Sequence, residues 1–396
     1  MGEFKIVMTG GGSGGHITPI LAVAEAVKLL KPEIKIIYVG QTGDPLSDIP
    51  AQHQSIDEVY SVRAGKFRRY YGAGASQLLD LPTLLKNIRD VLYVVIGFFQ
   101  SLKLLHKIKP NVVFVKGGFV SVPIGLSAAL LKIPYITHDS DSIPGLANRI
   151  IAPWAKLHAV ALPKEMYSYD YSKTVTTGIP LQTNFVPVTD TIKQEYRNQI
   201  KLPVNGLELF IIGGGQGAQR INAAVSQAIP HLLREFTNLS VIHGAGRANQ
   251  DEVIQTYTRN LSIKEIGRVR VFGYSSDAYL YSGSADVIIT RAGATNLAEF
   301  AVQGKACVVI PSPYLTGGHQ IKNAQYLADN SAAVVIAEAD IETDPNRLAK
   351  QVSELLKSSP KRRNLANNLA KFANPNAAYD LAKLIIDQTD INQLDK

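Results

Sequence analysis

Two stretches of the chain show the same order of hydrophobic and polar positions. In the first, the apolar run Phe4 to Met8 leads into the glycine-rich loop Gly10 to Gly15 and then into a helix-like run. In the second, Leu207 to Ile212 leads into the loop Gly213 to Ala218 and a helix-like run from Ile221. A strand, a glycine loop and a helix in this order are typical of a nucleotide-binding Rossmann-type sheet, so each half is predicted to open one.

Further short β-branched runs are separated by helix-length segments, which predicts parallel sheets covered by helices. These predicted strands are Ile34 to Val39, Val112 to Val115, Tyr135 to Thr137, Val175 to Thr177, Ser240 to His243, Val269 to Phe272, Val287 to Thr290, Cys307 to Ile310 and Ala333 to Ile336. We therefore expect an α/β protein with two domains, at 1–180 and 185–375. Glycine and prolines between 178 and 187 mark the linker. The sequence leaves open whether the last helix, at about 376–396, packs back on the first domain.

The segment Leu78 to Leu105 is rich in leucine and aromatic residues and has basic residues on both flanks. Its continuous apolar run, Val91 to Phe99, is too short for a bilayer core, which needs about 20 helical residues. Two interpretations stay open: a pair of core helices, or a basic-rimmed surface that dips into anionic lipid. Basic and tyrosine side chains just upstream would extend such a surface: Lys66, Arg68, Arg69, Tyr70 and Tyr71.

Composition narrows the classes of partner. The 396 residues carry a net charge of +8, which favours acidic partners such as phosphorylated substrates or an anionic membrane. Aromatic and basic residues do not interleave as a stacking platform requires, so nucleic acid is not expected. The single cysteine, Cys307, rules out a disulfide framework and indicates a reducing compartment. The N-terminus reads as a first strand and not as a signal peptide.

The two glycine loops allow backbone N–H groups and a helix N-terminus to approach a diphosphate closely. Nicotinamide enzymes also need an acidic residue near the end of the second strand to hold the ribose. Here the corresponding strands end at Gln41 and at Gly244-Ala245, without a carboxylate. A nicotinamide oxidoreductase is therefore the weaker alternative.

His16 directly follows the first glycine loop. It could be a partly buried histidine that caps local backbone. Alternatively, the positive end of a helix dipole would lower the pKa of its imidazole and keep it neutral, as a general base requires.

The second half contains two candidate donor-binding segments. Asn296 and Glu299 have capping-box spacing, so Glu299 either satisfies a backbone donor or holds the two ribose hydroxyls of a nucleotide. Gln320 and Asn323 share one face of a helix start and could hydrogen-bond a sugar.

Five motifs in order resemble one family. They are Gly11-Gly-Ser-Gly-Gly-His16, Gly117-Gly-Phe-Val-Ser121, His138-Asp139 with Asn148, Gly213 to Ala218 with Asn222, and Arg291 to Glu299 with Gln320 and Asn323. Together they are similar to the MurG-type glycosyltransferases of the glycosyltransferase-B fold, in which two Rossmann-like domains have parallel sheets facing an interdomain cleft. These enzymes attach N-acetylglucosamine to undecaprenyl-diphosphate-N-acetylmuramoyl-pentapeptide.

The resemblance implies a role for each matching residue. His16 would be the base, with Asp139 and then Asp141 as the next candidates. Glu299 would hold the ribose of UDP, Ser275 would lie at the uracil, and Gln320 and Asn323 at the sugar. Residues implied to face the donor phosphates are Ala294, Thr295, Asn296, Leu297 and Ala298. Residues implied to line the cleft, against the donor and the acceptor diphosphate, are Ser13, Gly14, Gly15, Gly117, Gly118, Phe119, Ser121 and Asn148.

The chain departs from the family pattern at several cleft positions. The family usually has His-Glu-Gln-Asn where this chain has His138-Asp139-Ser140-Asp141, and tyrosine where Phe119 stands. It usually has serine at Gly215 and arginine near Gln182. Asp141, Gln182 and Gly215 are thus expected at positions that bind the sugar nucleotide. There this chain would offer the phosphates fewer N–H and O–H groups than the family usually does.

The resulting expectation is an inverting transfer of N-acetylglucosamine from UDP-N-acetylglucosamine to a lipid-linked diphosphate sugar, without a metal or other cofactor. The enzyme would lie peripherally on the cytoplasmic face of the cell membrane, in peptidoglycan synthesis. The alternatives are a diacylglycerol glycosyltransferase of the same fold, a nucleotide-sugar-binding protein without catalysis, and the nicotinamide oxidoreductase.

Overall fold

The fold was analysed in a computed structural model. The structure describes residues 3–66, 81–214, 218–314, 318–344 and 346–394, and the side chains at 81–86 and 389–394 are outside this description. The chain divides into two compact units: Met1–Thr183 with Asn374–Lys396, and Asn184–Ala373.

The first unit contains a seven-stranded sheet in the order β3-β2-β1-β4-β5-β6-β7, and every strand pairs in parallel with its neighbours. Strand order reverses at the β1–β4 pair, so the helices that follow these two strands pack in different core clusters, and ligands of such sheets bind at the carboxyl ends of the strands at this point. The strands are β1 (Lys5–Gly10), β2 (Lys35–Gln41), β3 (Glu58–Val62), β4 (Val112–Gly117), β5 (Tyr135–Asp139), β6 (Leu157–Val160) and β7 (Thr174–Thr176).

Helices cover both faces of this sheet. They are α1 (Gly14–Leu30), α2 (Asp48–Ala51), α3 (Leu81–Ile108), α4 (Ser121–Leu130), α5 (Leu146–Ile151) and, from the end of the chain, α16 (Ala377–Leu394). Leu381 and Ile385 of α16 are fully buried in one core cluster with Ile6 and Val23. The last helix therefore belongs to the first unit, a contact that the sequence had left open.

The second unit contains a six-stranded parallel sheet in the order β10-β9-β8-β11-β12-β13. Its strands are β8 (Leu207–Ile212), β9 (Leu239–Gly244), β10 (Val269–Phe272), β11 (Val287–Thr290), β12 (Cys307–Val309) and β13 (Val334–Val335). Its helices are α6 (Asp190–Gln199), α7 (Gln219–Glu235), α8 (Gln250–Asn260), α9 (Ile263–Ile266), α10 (Ala278–Ser284), α11 (Ala294–Val302), α12 (His319–Asp329), α13 (Glu338–Thr343), α14 (Asn346–Lys357) and α15 (Ser359–Ala370). Cys307 is a buried residue of β12 with a free thiol.

The prediction of an α/β protein with two parallel sheets is confirmed, and each predicted strand is present. The sequence analysis missed β3 and β6. β3 is an edge strand in which half-buried and exposed positions alternate, so it lacks a continuous apolar run. β6 has only four residues, one of them a histidine, so its apolar run is too short to stand out in the sequence.

Residues 81–105 of the leucine-rich segment lie in one continuous helix, α3, which excludes the pair of core helices, one of the two interpretations that the sequence left open. One face of α3 packs on the rest of the first unit. On this face, a Cβ added at Gly97 would lie 1.8 Å from the carbonyl oxygen of Arg63. Leu105 is fully buried. The opposite face exposes large apolar side chains: Ile88, Val91, Leu92, Val95, Ile96 and Phe99. By length and composition alone, Asn87–Ile108 is apolar enough to cross a membrane.

Candidate active site

The first glycine loop connects β1 to α1 at the carboxyl edge of the sheet. Ser13 is the N-cap residue of α1, but its side chain makes no capping hydrogen bond, and Gly14 and Gly15 form the exposed first turn. Since the first N–H groups of a helix have no partner within the helix, this turn presents backbone donors and a positive dipole end. The loop is held by Asp44, whose carboxylate accepts from Gly12 N–H at 2.8 Å.

His16 lies in the first turn of α1 with a defined orientation. Its Nδ1 is 2.9 Å from the carbonyl oxygen of Gly11 and 3.2 Å from the Ser13 hydroxyl. Because a carbonyl oxygen only accepts, Nδ1 carries the proton and Nε2 is left with its lone pair. A Cβ added at Gly117 would lie 3.5 Å from Nε2, so this nitrogen faces the Gly117 loop.

The imidazole of His16 is kept neutral mainly by burial. Burial, and after it the positive charge of Lys116, lower the pKa of His16 to about 4. The sequence analysis attributed a neutral imidazole to the helix dipole; the cation on β4 was not considered there. At neutral pH the ring is therefore unprotonated and able to accept a proton.

The loop after β4 approaches the glycine loop after β1 very closely. Gly117 and Gly118 have φ values of 118° and 87°, which side chains rarely adopt, and a Cβ at Gly118 would lie 2.6 Å from the Gly11 carbonyl oxygen. Phe119 packs near Gly12, where a Cβ would be 3.6 Å from its ring. Ser121 begins α4 and is fully buried. The two loops thus form one continuous surface beside His16.

Asp139 and Asn148 organise the segment that follows β5. The two carboxylate oxygens of Asp139 accept from Gly145 N–H at 2.9 Å and from the Tyr169 hydroxyl at 2.7 Å. The amide of Asn148 donates to the His138 carbonyl at 3.0 Å. Because these hydrogen bonds occupy Asp139 as a loop anchor, His16 is the better-placed base, and catalysis by Asp139 stays a prediction.

The donor-side residues at which the chain departs from its family pattern lie in separate segments of the chain. Asp141 lies two residues beyond β5, half-buried, and its backbone carbonyl accepts from the Tyr167 hydroxyl at 3.0 Å. Gln182 lies half-buried in the irregular segment between β7 and α6. Gly215 lies outside the described residues.

The helix α11 provides the corresponding half-site of the second unit. It begins at Ala294 with Gly293 as its N-cap, so the capping box expected from Asn296 and Glu299 is absent. The free N–H groups of the first turn are those of Ala294, Thr295 and Asn296. Leu297 already donates its N–H to Gly293, and its side chain is buried in the core, so Leu297 and Ala298 contribute less to an anion site than the sequence implied.

Glu299 lies one turn further along α11, only partly exposed. Burial raises the pKa of its carboxyl group to about 8, with no compensating cation nearby. A carboxyl group placed without a protein partner among the described residues is suited to two hydroxyl donors from a ligand, such as a ribose diol.

Gln320 and Asn323 in α12 hold loops at the carboxyl ends of β12 and β11. Gln320 Oε1 accepts from Ser312 N–H at 2.9 Å, and Asn323 donates to the Ala292 carbonyl at 3.1 Å. Ser275 accepts from Asp277 N–H at 3.0 Å in the loop after β10. These side chains shape the backbone next to α11, so their contacts with a sugar or a base stay predictions.

A charged cluster near the second glycine loop was missed by the sequence analysis. Arg220, in the first turn of α7, pairs with Glu338 at 2.8 Å and stacks over the Tyr314 ring at 4.3 Å. Glu338 also pairs with Arg291 at 2.6 Å, at the end of β11. An open groove of about 240 Å³ lies between Arg220 and Ile341. The sequence signal for this cluster was Arg220, an arginine in the first turn of the helix that follows a glycine loop.

The structure also adds residues to the first half-site that the sequence analysis did not single out. Lys116 interrupts the apolar run of β4, and Asp44 follows β2. Within the described part of the chain, no group of three or more His, Cys, Asp or Glu side chains is arranged to hold a metal ion.

Comparison with known families covers both units. The model of the glycosyltransferase family 28 N-terminal domain matches residues 6–160, and that of the family 28 C-terminal domain matches residues 208–385.

Curated relatives match almost the full chain. The UDP-N-acetylglucosamine--N-acetylmuramyl-(pentapeptide) pyrophosphoryl-undecaprenol N-acetylglucosamine transferase of Halothermothrix orenii is 33% identical over 387 residues, 97% of this chain and 98% of the relative. The enzyme of the same name from Clostridium novyi is 33% identical over 366 residues, 91% and 93% of the two chains.

Solved structures share the fold. The crystal structure of Acinetobacter baumannii MurG superimposes with a TM-score of 0.71 at 24% identity, covering 97% of this chain and 99% of that one. A UDP co-structure of S. aureus MnaA gives a TM-score of 0.66 at 13% identity, covering 96% and 94%. The chain is therefore a glycosyltransferase and belongs to glycosyltransferase family 28, among the relatives named as MurG-type N-acetylglucosamine transferases.

Proposed function

We propose that the protein transfers N-acetylglucosamine from UDP-N-acetylglucosamine to undecaprenyl-diphosphate-N-acetylmuramoyl-pentapeptide, with inversion at the anomeric carbon. An acceptor hydroxyl oxygen attacks C1 of the donor sugar, the C1–O bond to the diphosphate breaks, and UDP leaves. The hydroxyl proton passes to Nε2 of His16. The names of the full-length relatives support the pair of substrates.

The geometry of His16 is the observation that carries this proposal. Its Nδ1 is occupied by the Gly11 carbonyl, so only Nε2 can accept a proton. Positioned general bases of this kind contribute about 10²- to 10⁴-fold to a rate. The adjacent N–H groups of Ser13, Gly14 and Gly15 are suited to the diphosphate of an acceptor.

The N-terminus of α11 and Glu299 support binding of a nucleotide diphosphate in the second unit. Free N–H groups at the helix start would face the donor phosphates, and the carboxylate of Glu299 would accept from both ribose hydroxyls. The same donors offset the charge that develops on departing UDP, so the proposal requires no metal ion.

We further propose that the exposed apolar face of α3 docks peripherally on the cytoplasmic face of the membrane. Val91, Val95 and Phe99 lie on this face, and the buried opposite face of α3 makes docking more favourable than spanning. Lys103 and Lys107 in the last turns supply positive charge near anionic headgroups.

A donor and acceptor panel with the purified protein tests the reaction. UDP release from UDP-N-acetylglucosamine is expected only when a polyprenyl-diphosphate-muramoyl acceptor is added, and diacylglycerol should not replace it. Turnover with diacylglycerol alone would identify a glycolipid synthase instead. Tight UDP binding without transfer to any acceptor in several detergents would identify a binding protein. A saturable fluorescence titration with NADH would identify an oxidoreductase.

A further inference from the structure

One lysine lies inside the apolar strand β4, and the reaction described above does not use it. Lys116 is only 3% exposed. The ammonium of Lys116 donates to the hydroxyl of Ser140, just beyond β5, at 2.9 Å. The next residue, Gly117, pairs with Gly10 at the end of β1. The cation is therefore held at the carboxyl edge of the sheet, between the first glycine loop and the segment after β5.

A buried ammonium is unfavourable unless nearby groups compensate it. Burial lowers the pKa of Lys116 to about 8, while the carboxylates of Asp139 and Asp141 act in the opposite direction. The Lys116 side chain is thus mostly protonated below about pH 8. This range includes the pH at which an ordinary imidazole takes up a proton.

The position of Lys116 relates it directly to His16. The imidazole lies over Gly117, the residue after Lys116, as the 3.5 Å distance from Nε2 to a Cβ built there shows. The charged groups around the ring come from three elements: Lys116 at the end of β4, Asp141 beyond β5 and Asp44 beyond β2. Lys116 is the one cation among them and opposes the two carboxylates.

We propose that Lys116 is a positioning residue of the transfer reaction, whose Ser140-bound ammonium keeps the His16 imidazole unprotonated when an anionic diphosphate approaches. The inference rests on the proposed role of His16 as the base. A diphosphate brings negative charge beside the ring and stabilises the imidazolium, which has no lone pair to accept a proton. A fixed cation below the loop offsets that charge.

The test is an NMR titration of His16 in the full chain without sugar substrates, with the signal assigned from H16Q. In K116M the midpoint of His16 should rise by roughly one unit, whereas K116R should keep the wild-type midpoint. In D141N the midpoint should move in the opposite direction, because a carboxylate is removed. Inorganic pyrophosphate should raise the midpoint more in K116M than in the wild type.

An unchanged midpoint in K116M would overturn the proposal, and so would shifts of the same sign in K116M and D141N, since loosening of the loop would move both alike. If K116M does not fold, K116Q takes its place, and an unchanged His16 midpoint in K116Q overturns the proposal equally. In the transfer assay, kcat/KM of K116M should fall more at about pH 5.5 than at about pH 7.5, because a His16 midpoint raised from about 4 by roughly one unit lies close to the lower pH only. Absence of transfer with every acceptor would overturn the proposed function and leave the titration result standing.

Discussion

The Nδ1 proton of His16 is donated to the carbonyl oxygen of Gly11, five residues earlier in the chain, across 2.9 Å. This hydrogen bond selects the tautomer and fixes the ring plane, so that Nε2 faces the Gly117 loop. The glycine loop therefore exposes the backbone N–H groups of the first turn of α1 and also orients the His16 ring.

Replacing His16 by alanine should lower kcat by about 10²- to 10⁴-fold, because the attacking hydroxyl loses its proton acceptor. The KM for UDP-N-acetylglucosamine should stay near the wild-type value, since Glu299 and α11 are untouched. Steady-state kinetics measure both constants. His231→Ala is the matched control, with a side chain 73% exposed on α7. Activity of H16A close to the wild type would show that another group is the base.

Binding of UDP should tighten as pH rises toward 8 and depend on Glu299. The carboxyl pKa of about 8 means that the group is mostly protonated at pH 6, and only the ionised form accepts from both ribose hydroxyls. Below the pKa, the Kd should fall by up to about tenfold per pH unit as pH rises. Isothermal titration calorimetry measures this slope, which E299Q should flatten. E342Q, with a 63% exposed side chain, is the control; a slope retained in E299Q contradicts the assignment.

Gly118→Ala should destabilise the first unit and reduce transfer. The added Cβ would meet the Gly11 carbonyl oxygen at 2.6 Å, and φ of 87° is unfavourable for alanine. A cost of about 1–3 kcal/mol is expected from such a strained residue. Urea unfolding followed by circular dichroism measures it. Gly267→Ala, where a Cβ makes only ordinary contacts, should leave unfolding unchanged. Equal unfolding of G118A and wild type would disprove the close approach of the loops.

Removing Glu208 should strongly destabilise the second unit. Its carboxylate lies 3.5 Å from the guanidinium of Arg197, and both side chains are almost completely buried. Burial raises the pKa of Glu208 to about 7, so the pair is ionised at pH 8. There Glu208→Ala removes the counter-charge of Arg197, whose guanidinium keeps only the Pro203 carbonyl among the described residues, and such a loss costs about 3–5 kcal/mol in comparable cases. Thermal and urea unfolding provide the measurement. Glu354→Gln breaks an exposed pair with Lys361 and should change stability by less than about 1 kcal/mol. A similar small effect of E208A would show that the buried pair adds little.

Charged substitutions on α3 should abolish binding to anionic vesicles. In a V95E/F99E variant, two carboxylates replace apolar groups on the exposed face, so that burial in the lipid interface becomes unfavourable. Co-sedimentation with phosphatidylglycerol-containing vesicles measures the loss. Leu29→Glu is the matched control, because Leu29 is 76% exposed on α1, away from α3. Undiminished sedimentation of V95E/F99E would place the membrane contact elsewhere.

Local patterning predicted most of the fold because both sheets are parallel and buried on their two faces. Their strands therefore appear as continuous apolar runs, as in residues 209–212 of β8. β3 escaped detection because an edge strand needs only one buried face. For a related reason the sequence left the leucine-rich segment open between two core helices and a lipid-facing surface: composition reports apolar content, but the packing of Gly97 and Leu105 decides which face is covered.

The sequence by itself determined that a glycine-rich segment follows the first strand of each half and that His16 follows the first of these segments, because strand, loop and helix are contiguous in the chain. Only the tertiary structure decided the surroundings of His16. Lys116, Asp44 and Asp141 are far from it in sequence and reach it because parallel strands bring their carboxyl ends to one edge. Likewise Asn296 and Glu299 have the spacing of a capping box, but the helix begins at Ala294, and burial, not spacing, sets the pKa of Glu299.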